Sequence, residues 1–286
     1  MEKLNIGIVG GGFVGGATSY GFDTLNVEQF IVDPKWGTTI ADMFATMTPD
    51  LVFVCVPTPM GPTGEIDSSI IESVFTELAK YEANPIAIIK STITPAIVNK
   101  LEKIYNRTIY NPEFLTERNA KDDFINAQML VLGGHNSADL EYVKHCYDTY
   151  SKCKPCPTHY MDLVGASMVK YTLNCFLSTK VLFFNQLHSI FEKSGAKMDW
   201  NTFTDVVSTD TRIGKSHMQV PGPDGRKGYG GACFPKDTTA MKYYAESLGV
   251  PFTQLTETIR SNQEIRKQYT ELDAREVEQN VKFDIL

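Results

Sequence analysis

The chain opens with LNIGIV, a continuous run of β-forming residues, and passes at once into GGGFVGG. Strand, glycine turn and helix start, in that order, constrain the fold more than any other stretch. Gly10, Gly12 and Gly15 fit the spacing G-x-G-x-x-G. The first glycine permits a tight turn, the second lets the backbone approach a pyrophosphate, and the third lets helix pack closely on strand. A second strand, EQFIVD, ends in Asp33. An acid there suits the ribose hydroxyls of NAD and repels the extra phosphate of NADP. NAD is therefore the expected cofactor. Phe13, Val14, Lys35, Pro57, Thr58 and Thr92 join the glycines and Asp33 as its candidate contacts.

The alternation continues. DLVFVCVPTP (50–59) reads as a buried strand ending in a proline-rich turn, and PIAIIKST (85–92) as the next strand. Between them IDSSIIESVFTELAKY (66–81) has helical spacing, with Asp67 as N-cap. TPAIVNKLEKIY is a helix; RTIYNPEF and QMLVLGG add two strands. Strands alternating with short helices predict an α/β, Rossmann-like domain over residues 1–158, a parallel sheet with helices on both faces. Ligands in such sheets bind beyond the carboxyl ends of the strands. Thr58, Lys90 to Thr92 and Asn111 to Glu117 all follow strands.

From about residue 159 the texture changes. HYMDLVGASMVKYTLNCFLSTKVLFFNQLHSIFEKSG keeps helical periodicity far beyond an average helix length. DWNTFTDVVSTD, DTTAMKYYAESLGV and the stretch from Pro251 onward read as helical too. Residues 159–286 are expected to form a mainly helical dimerisation domain. Its long apolar helix points to a homodimer or larger homo-oligomer.

In this half, GYGGACFPKD (228–237) sets Cys233 among glycines, with Lys236 and Asp237 close behind. A cysteine is usually a small core hydrophobe; one among glycines and charges is more often there to react. The spacing of Cys153 and Cys156 in SKCKPCPT suggests a redox pair or half a zinc site. Nothing else completes a metal set, and the pair does not follow an early strand, so two incidental thiols at a strand edge is the better reading. No metal is expected. The net charge is -7 without a long basic run, which argues against nucleic acid as a partner. MEKLNIGIVGG lacks the parts of a signal peptide, and CFLSTKVLFFNQL, interrupted by Lys180, is too short to span a bilayer. A cytoplasmic protein with reduced cysteines and no membrane partner is expected.

Taken together and in order, GGGFVGG, VPTP, KST, NPEFLTE, VKYTLNCFLSTKVLFFNQL and GYGGACFPKD resemble the UDP-glucose/GDP-mannose dehydrogenase family, NAD-dependent nucleotide-sugar 6-dehydrogenases. The resemblance implies oxidation of a primary alcohol to a carboxylate in two hydride transfers, with UDP-glucose as the default substrate. GDP-mannose and UDP-N-acetyl-hexosamines are the near alternatives. Cys233 would hold the aldehyde as a thiohemiacetal and then a thioester, because a thiolate is both a strong nucleophile and a good leaving group. Lys170 would stabilise the oxyanion, and Asn174, one helical turn later, would share that role. Asp237 would position or deprotonate a water together with Thr92. Glu117 would be the general base for thioester hydrolysis. Glu113, Phe114, Leu115, Tyr229, Gly230 and Lys236 complete the substrate set. On the residues alone, Lys170 is a solvated helix charge, and Glu113 and Glu117 are a helix-start acid pair. Arg212 in DTRIG reads equally as a phosphate contact or a surface charge.

Two departures from the family pattern stand out. The segment between Asp33 and DLVFVCVPTP is short, so the adenosine contacts are expected to be trimmed. After the SNQEIRKQY helix no second glycine-rich strand–turn–helix follows, where the family carries a third domain. Nucleotide recognition is then expected from the helical domain, a neighbouring subunit or a separate chain, with Lys215, Arg226 and Lys227 as candidate phosphate contacts. The rival from another class is a non-catalytic NAD-binding subunit that needs a partner. A dehydrogenase making one hydride transfer has little use for Cys233 with Lys236 and Asp237.

Overall fold

The structure, a computed structural model, describes residues 3–285, the side chain of Glu117 excepted. The chain divides into two compact units, residues 1–58 with 67–170, and residues 59–66 with 171–286.

The first unit begins with β1 (Leu4–Val9), α1 (Phe13–Phe22) and β2 (Val27–Val32). A 3-10 turn over Pro34–Trp36 leads to α2 (Ile40–Thr46), closed by a Thr39–Asp42 capping box. There follow β3 (Leu51–Val54), α3 (Ser69–Leu78), β4 (Ile86–Ile89), α4 (Pro95–Ile104) and β5 (Thr108–Tyr110). Then come α5 (Ala120–Ile125), β6 (Leu130–Gly133), α6 (Ser137–Tyr150) and β7 (Thr158–Met161).

The strands form one sheet in the order β2-β1-β3-β4-β5-β6-β7. Alternation decides the two faces. Val52, Val54, Ala87 and Ile89 pack with Met43, Ile71, Phe75, Val98 and Leu101 on one side. Ile6, Ile8, Phe53, Ile86 and Ile88 pack with Ala17, Phe22, Phe124, Val143 and Tyr147 on the other. Helices therefore cover both faces, as the continuous apolar strands require.

Three details differ from the sequence reading. The β5/β6 pair is antiparallel, through Tyr110 and Gly133, while the remaining pairs are parallel. The connection between them runs over residues 111–129 and includes α5. Second, residues 158–161 are not helical but form β7, paired in parallel with β6. Third, the N-cap of α3 is Ser68; Asp67 lies one residue earlier and its Oδ1 accepts the Ser69 N–H at 2.9 Å.

The long helix α7 spans Leu163–Lys193, so Lys170 belongs to the first unit and Asn174 to the second. The second unit adds α8 (Trp200–Val207), α9 (Phe234–Ser247), α10 (Thr253–Arg266) and α11 (Ala274–Glu278). Phe184, Trp200, Met218 and Val220 form one small core, and Cys175, Leu255 and Ile259 another. Among the described residues no helix is long and apolar enough to cross a membrane.

Candidate active site

The glycine turn has the form that a dinucleotide cradle needs. Gly10 has φ +97, and a Cβ there would stand 2.6 Å from the Cys55 carbonyl oxygen. A Cβ on Gly15 would stand 1.9 Å from the Gly10 carbonyl oxygen, so helix and turn touch backbone to backbone. A Cβ on Gly12 would meet nothing within 4 Å. Open space thus lies before the first turn of α1, whose N-cap is Gly12 and which carries no acidic residue to compete with an anion. Phe13 and Val14 open that turn.

Asp33 is buried at the end of β2. Its Oδ2 accepts the Gly11 N–H at 2.6 Å and its Oδ1 the Lys35 N–H at 2.8 Å, which ties strand end to glycine turn. The Lys35 side chain and Pro57 are exposed. Thr58 and Thr92, after the neighbouring strands β3 and β4, are joined by the Thr58 hydroxyl donating to the Thr92 carbonyl at 2.9 Å. These residues fit a dinucleotide; the adjoining strand ends fix their places.

A second constellation lies beyond β4 and β5. Lys170 Nζ is 2.8 Å from Glu113 Oε1 and donates to the Glu113 carbonyl at 2.7 Å. Glu113 Oε2 accepts the Leu115 N–H at 2.7 Å. The Lys170 and Glu113 side chains are only 4% and 5% exposed. Burial pushes the Glu113 carboxyl up, but the Lys170 ammonium, its hydrogen bond and the Leu115 N–H outweigh that and hold it below the ordinary value. Lys170 Nζ also lies 5.7 Å from the centroid of the Phe114 ring. Beneath this loop Asn111 Oδ1 accepts from Lys90 Nζ at 2.8 Å and from the Tyr147 hydroxyl at 2.7 Å. Burial lowers the Lys90 amine to about 8. A cavity of about 260 Å³ is lined by Lys90, Asn111, Glu113, Phe114, Leu115 and Tyr147 among others. The backbone of Glu117 opens a 3-10 turn, Glu117–Asn119. Its side chain, the expected general base, lies outside the described residues.

The third constellation is in the second unit. Cys233 is not in a free loop: it is the N-cap of α9, with Pro235 in the helix's first turn. Lys236 and Asp237 are in that turn and buried. Asp237 Oδ1 is 2.6 Å from Lys236 Nζ, and its Oδ2 accepts from Asn174 Nδ2 at 2.6 Å. Asn174, Lys236 and Asp237 therefore form one buried cluster a helical turn from the Cys233 backbone, whose carbonyl accepts the Asp237 N–H at 2.8 Å.

The glycine loop before Cys233 is held by partners the sequence did not single out. Asn185 Oδ1 accepts the Gly228 N–H at 2.8 Å. Asn262 takes the Tyr229 N–H at 2.8 Å and donates to the Tyr229 carbonyl at 2.9 Å. Arg266 Nη2 donates to the Gly228 carbonyl at 3.0 Å, and Glu276 Oε1 accepts the Gly231 N–H at 2.9 Å. A Cβ on Gly230 would stand 2.6 Å from both Arg266 Nη1 and Glu276 Oε1. The glycines admit this grip rather than leaving the loop slack. Tyr229 is buried, and burial raises its hydroxyl pKa. Arg226 donates to the Glu271 carbonyl at 2.6 Å and lies over the Tyr269 ring, and Arg212 pairs with Asp210 on an exposed turn. Lys227 Nζ is 3.8 Å from Glu192.

A Rossmann-type sheet with a glycine turn and a terminal acid on β2 defines a dinucleotide-binding protein. The particular family follows from matched sequence. Residues 35–151 match the NAD binding domain of the UDP-glucose/GDP-mannose dehydrogenase family, and residues 165–264 match its central domain. The chain belongs to that family. It is 29% identical over 250 residues to the UDP-glucose 6-dehydrogenase TuaD of Bacillus subtilis (strain 168), covering 84% of this chain and 52% of that protein. It is 32% identical to the UDP-glucose 6-dehydrogenase of Rickettsia bellii, covering 75% and 49%. It is 30% identical to the GDP-mannose 6-dehydrogenase of Pseudomonas savastanoi pv. phaseolicola, covering 74% and 50%. The chain thus spans about half the length of the curated relatives it matches. A UDP-glucose dehydrogenase structure from Pyrobaculum islandicum shares the fold, with a TM-score of 0.77 at 23% identity over 93% of this chain and 69% of that one.

Proposed function

We propose that this chain oxidises the 6-hydroxyl of a nucleotide sugar, UDP-glucose first among them, to the uronic acid with two molecules of NAD. The observation that carries the reading is the Asn174–Lys236–Asp237 cluster at the head of α9 beside Cys233.

NAD, held at the Gly10–Gly15 turn and Asp33, would supply the hydride acceptor. Oxidation of the primary alcohol to the aldehyde would release one proton. Cys233 Sγ then adds to the aldehyde carbon to give a thiohemiacetal. A helix N-terminus favours a negative charge, which suits a thiolate at the N-cap. Oxidation of the thiohemiacetal would remove the remaining hydride from that carbon and the hydroxyl proton from its oxygen, leaving a thioester on Cys233. Water adds, the C–S bond breaks, and the carboxylic acid leaves with the thiol restored. One alcohol, one water and two NAD⁺ give one carboxylic acid, two NADH and two protons.

The side chains divide the remaining work. Lys170 and Asn174 take the oxyanion-stabilising role that the family resemblance implies. Each oxygen of Asp237 keeps lone-pair capacity beyond the bond it already accepts, so the carboxylate holds a water in a set direction. Thr92 assists that water and Glu117 removes its proton. Glu113, Phe114, Leu115, Tyr229 and Gly230 shape the sugar site.

The relative acting on GDP-mannose is about as similar as those acting on UDP-glucose, so the substrate is decided by a panel. The rival reading is a subunit that needs a partner chain to complete the nucleotide site. NADH yield per sugar, with NAD and UDP-glucose, GDP-mannose or a UDP-N-acetyl-hexosamine, separates these. Two NADH per sugar, lost or stalled in Cys233→Ala, supports the four-electron reading. One NADH per sugar refutes it, and none from any sugar moves the assignment to the partner-requiring subunit.

The self-association face is on α7. Phe176, Phe183 and Ile190 are 64%, 59% and 65% exposed and recur every seven residues, which places them on one stripe. Sedimentation of Phe183→Glu against the parent checks this: a parent that is monomeric at micromolar concentration overturns it.

A further inference from the structure

Trp36 is an exposed indole on an ordered turn. The 3-10 turn Pro34–Trp36 is fixed at one end by Asp33, whose carboxylate accepts the Lys35 N–H, and at the other by Gly37 at φ 67. Thr38 braces it further, its Oγ1 accepting the Asp33 N–H at 2.9 Å and donating to the Ile31 carbonyl at 2.9 Å. On this rigid mount the Trp36 side chain is 58% exposed. Its ring is not directed away from the cradle. A Cβ on Gly11 would stand 2.6 Å from Trp36 Cη2, 2.8 Å from Cζ3 and 3.1 Å from Asp33 Oδ2. The indole edge and the carboxylate thus flank the same glycine.

Position along the sheet says which part of a dinucleotide this is. β2 is one of the two edge strands, and the acid at its end is the group that meets a ribose hydroxyl in this fold. Of the other large apolar residues between Asp33 and β3, Ile40 and Met43 are buried, and Phe44 stacks on Tyr81 with ring centroids 3.9 Å apart. Lys35 and Gly37 are the exposed neighbours of Trp36. An aromatic face binds a purine by stacking, whatever the base's hydrogen-bonding pattern.

We propose that Trp36 is the adenine-stacking residue of the cofactor site. The inference rests on the NAD reading above and names the residue that gives the adenosine half its affinity.

The test is binding to the full chain, measured by calorimetry and by intrinsic fluorescence, with NAD⁺, ADP-ribose and nicotinamide mononucleotide as probes. The chain has two tryptophans, and Trp200 is buried in its own aromatic cluster, so a change on ligand binding reports mainly on Trp36. ADP-ribose should quench the emission, and nicotinamide mononucleotide should not. Trp36→Ala should weaken NAD⁺ and ADP-ribose by about 5- to 150-fold, the range of base–aromatic stacking. Trp36→Phe should retain most of the affinity. The residue is exposed, so truncation should leave the circular dichroism spectrum unchanged. If Trp36→Ala binds ADP-ribose within twofold of the parent, the inference fails while the cofactor reading stands. If the parent binds neither NAD⁺ nor ADP-ribose, the cofactor reading fails and takes the inference with it.

Discussion

Replacing Lys170 by methionine removes a charge and little volume. In the parent the ammonium touches Glu113 twice, through Oε1 at 2.8 Å and the carbonyl at 2.7 Å, in a place where both side chains are nearly inaccessible. The variant leaves the carboxylate with the Leu115 N–H. Breaking a buried pair from one side costs about 3–5 kcal/mol. Part of that is avoided if Glu113 takes up a proton, at about 1.4 kcal/mol per unit its pKa must rise to do so. The expected loss at pH 7 is therefore about 3 kcal/mol or more. Replacing both partners, Lys170→Met with Glu113→Leu, should cost much less than the sum of the single changes, because apolar pairs commonly match buried ion pairs. The acid limb gives an independent sign. Glu113 is held below its unfolded value of about 4.3, so its contribution is present above that pH and is lost as pH falls through the folded value. In Lys170→Met burial acts without the ammonium, the folded value rises above the unfolded one, and stability from this group falls as pH rises between them. Urea unfolding from pH 3 to 8, with the transition of each unit fitted separately, measures both. A Lys170→Met loss below about 1 kcal/mol, or one independent of pH, would refute the reasoning.

Three further outcomes follow from the geometry. Asn262→Ala strands the Tyr229 N–H and carbonyl in a buried place, costing about 1–3 kcal/mol for each; alkylation of Cys233 should also change rate, and an unchanged rate would show that the grip does not set the thiol. Gly15→Ala forces a Cβ against the Gly10 carbonyl, so a loss of about 1–3 kcal/mol and of NADH binding by fluorescence titration is expected. Lys90 titrates near 8 when folded and near 10.4 when unfolded, so the unfolded chain holds more protons between those values and stability should rise with pH there, by about 3 kcal/mol, with Lys90→Met lacking that slope.

Much of this was legible in the residues. LNIGIVGGG announced its strand and turn because local backbone needs decide both. The apolar runs LVFV and IAII could be little other than central strands. The direction of β6 was hidden, since TIY and LVLG are short and nothing in them distinguishes parallel from antiparallel pairing. HYM passed for the start of a helix because its strand character comes from pairing with β6, a nonlocal cause. The motif GYGGACFPKD pointed to Cys233, Lys236 and Asp237, but not to the partners that hold its glycine loop. The holding residues, Asn262, Arg266 and Glu276, looked like ordinary polar positions on helices. No spacing rule ties them to a loop so far upstream.

That separation has a consequence for the order in which the molecule is assembled. Glu276 lies 45 residues after the Gly231 amide it receives, and Asn262 lies 33 after Tyr229. On a growing chain made at about 5–20 residues/s, roughly 2–9 s pass between the two ends of the longer contact. During that interval Cys233 has been synthesised and its loop has not been set. The loop before Cys233 therefore acquires these partners only after α10 and α11 have come into place, and a chain arrested before residue 262 carries Cys233 without the frame that holds its loop.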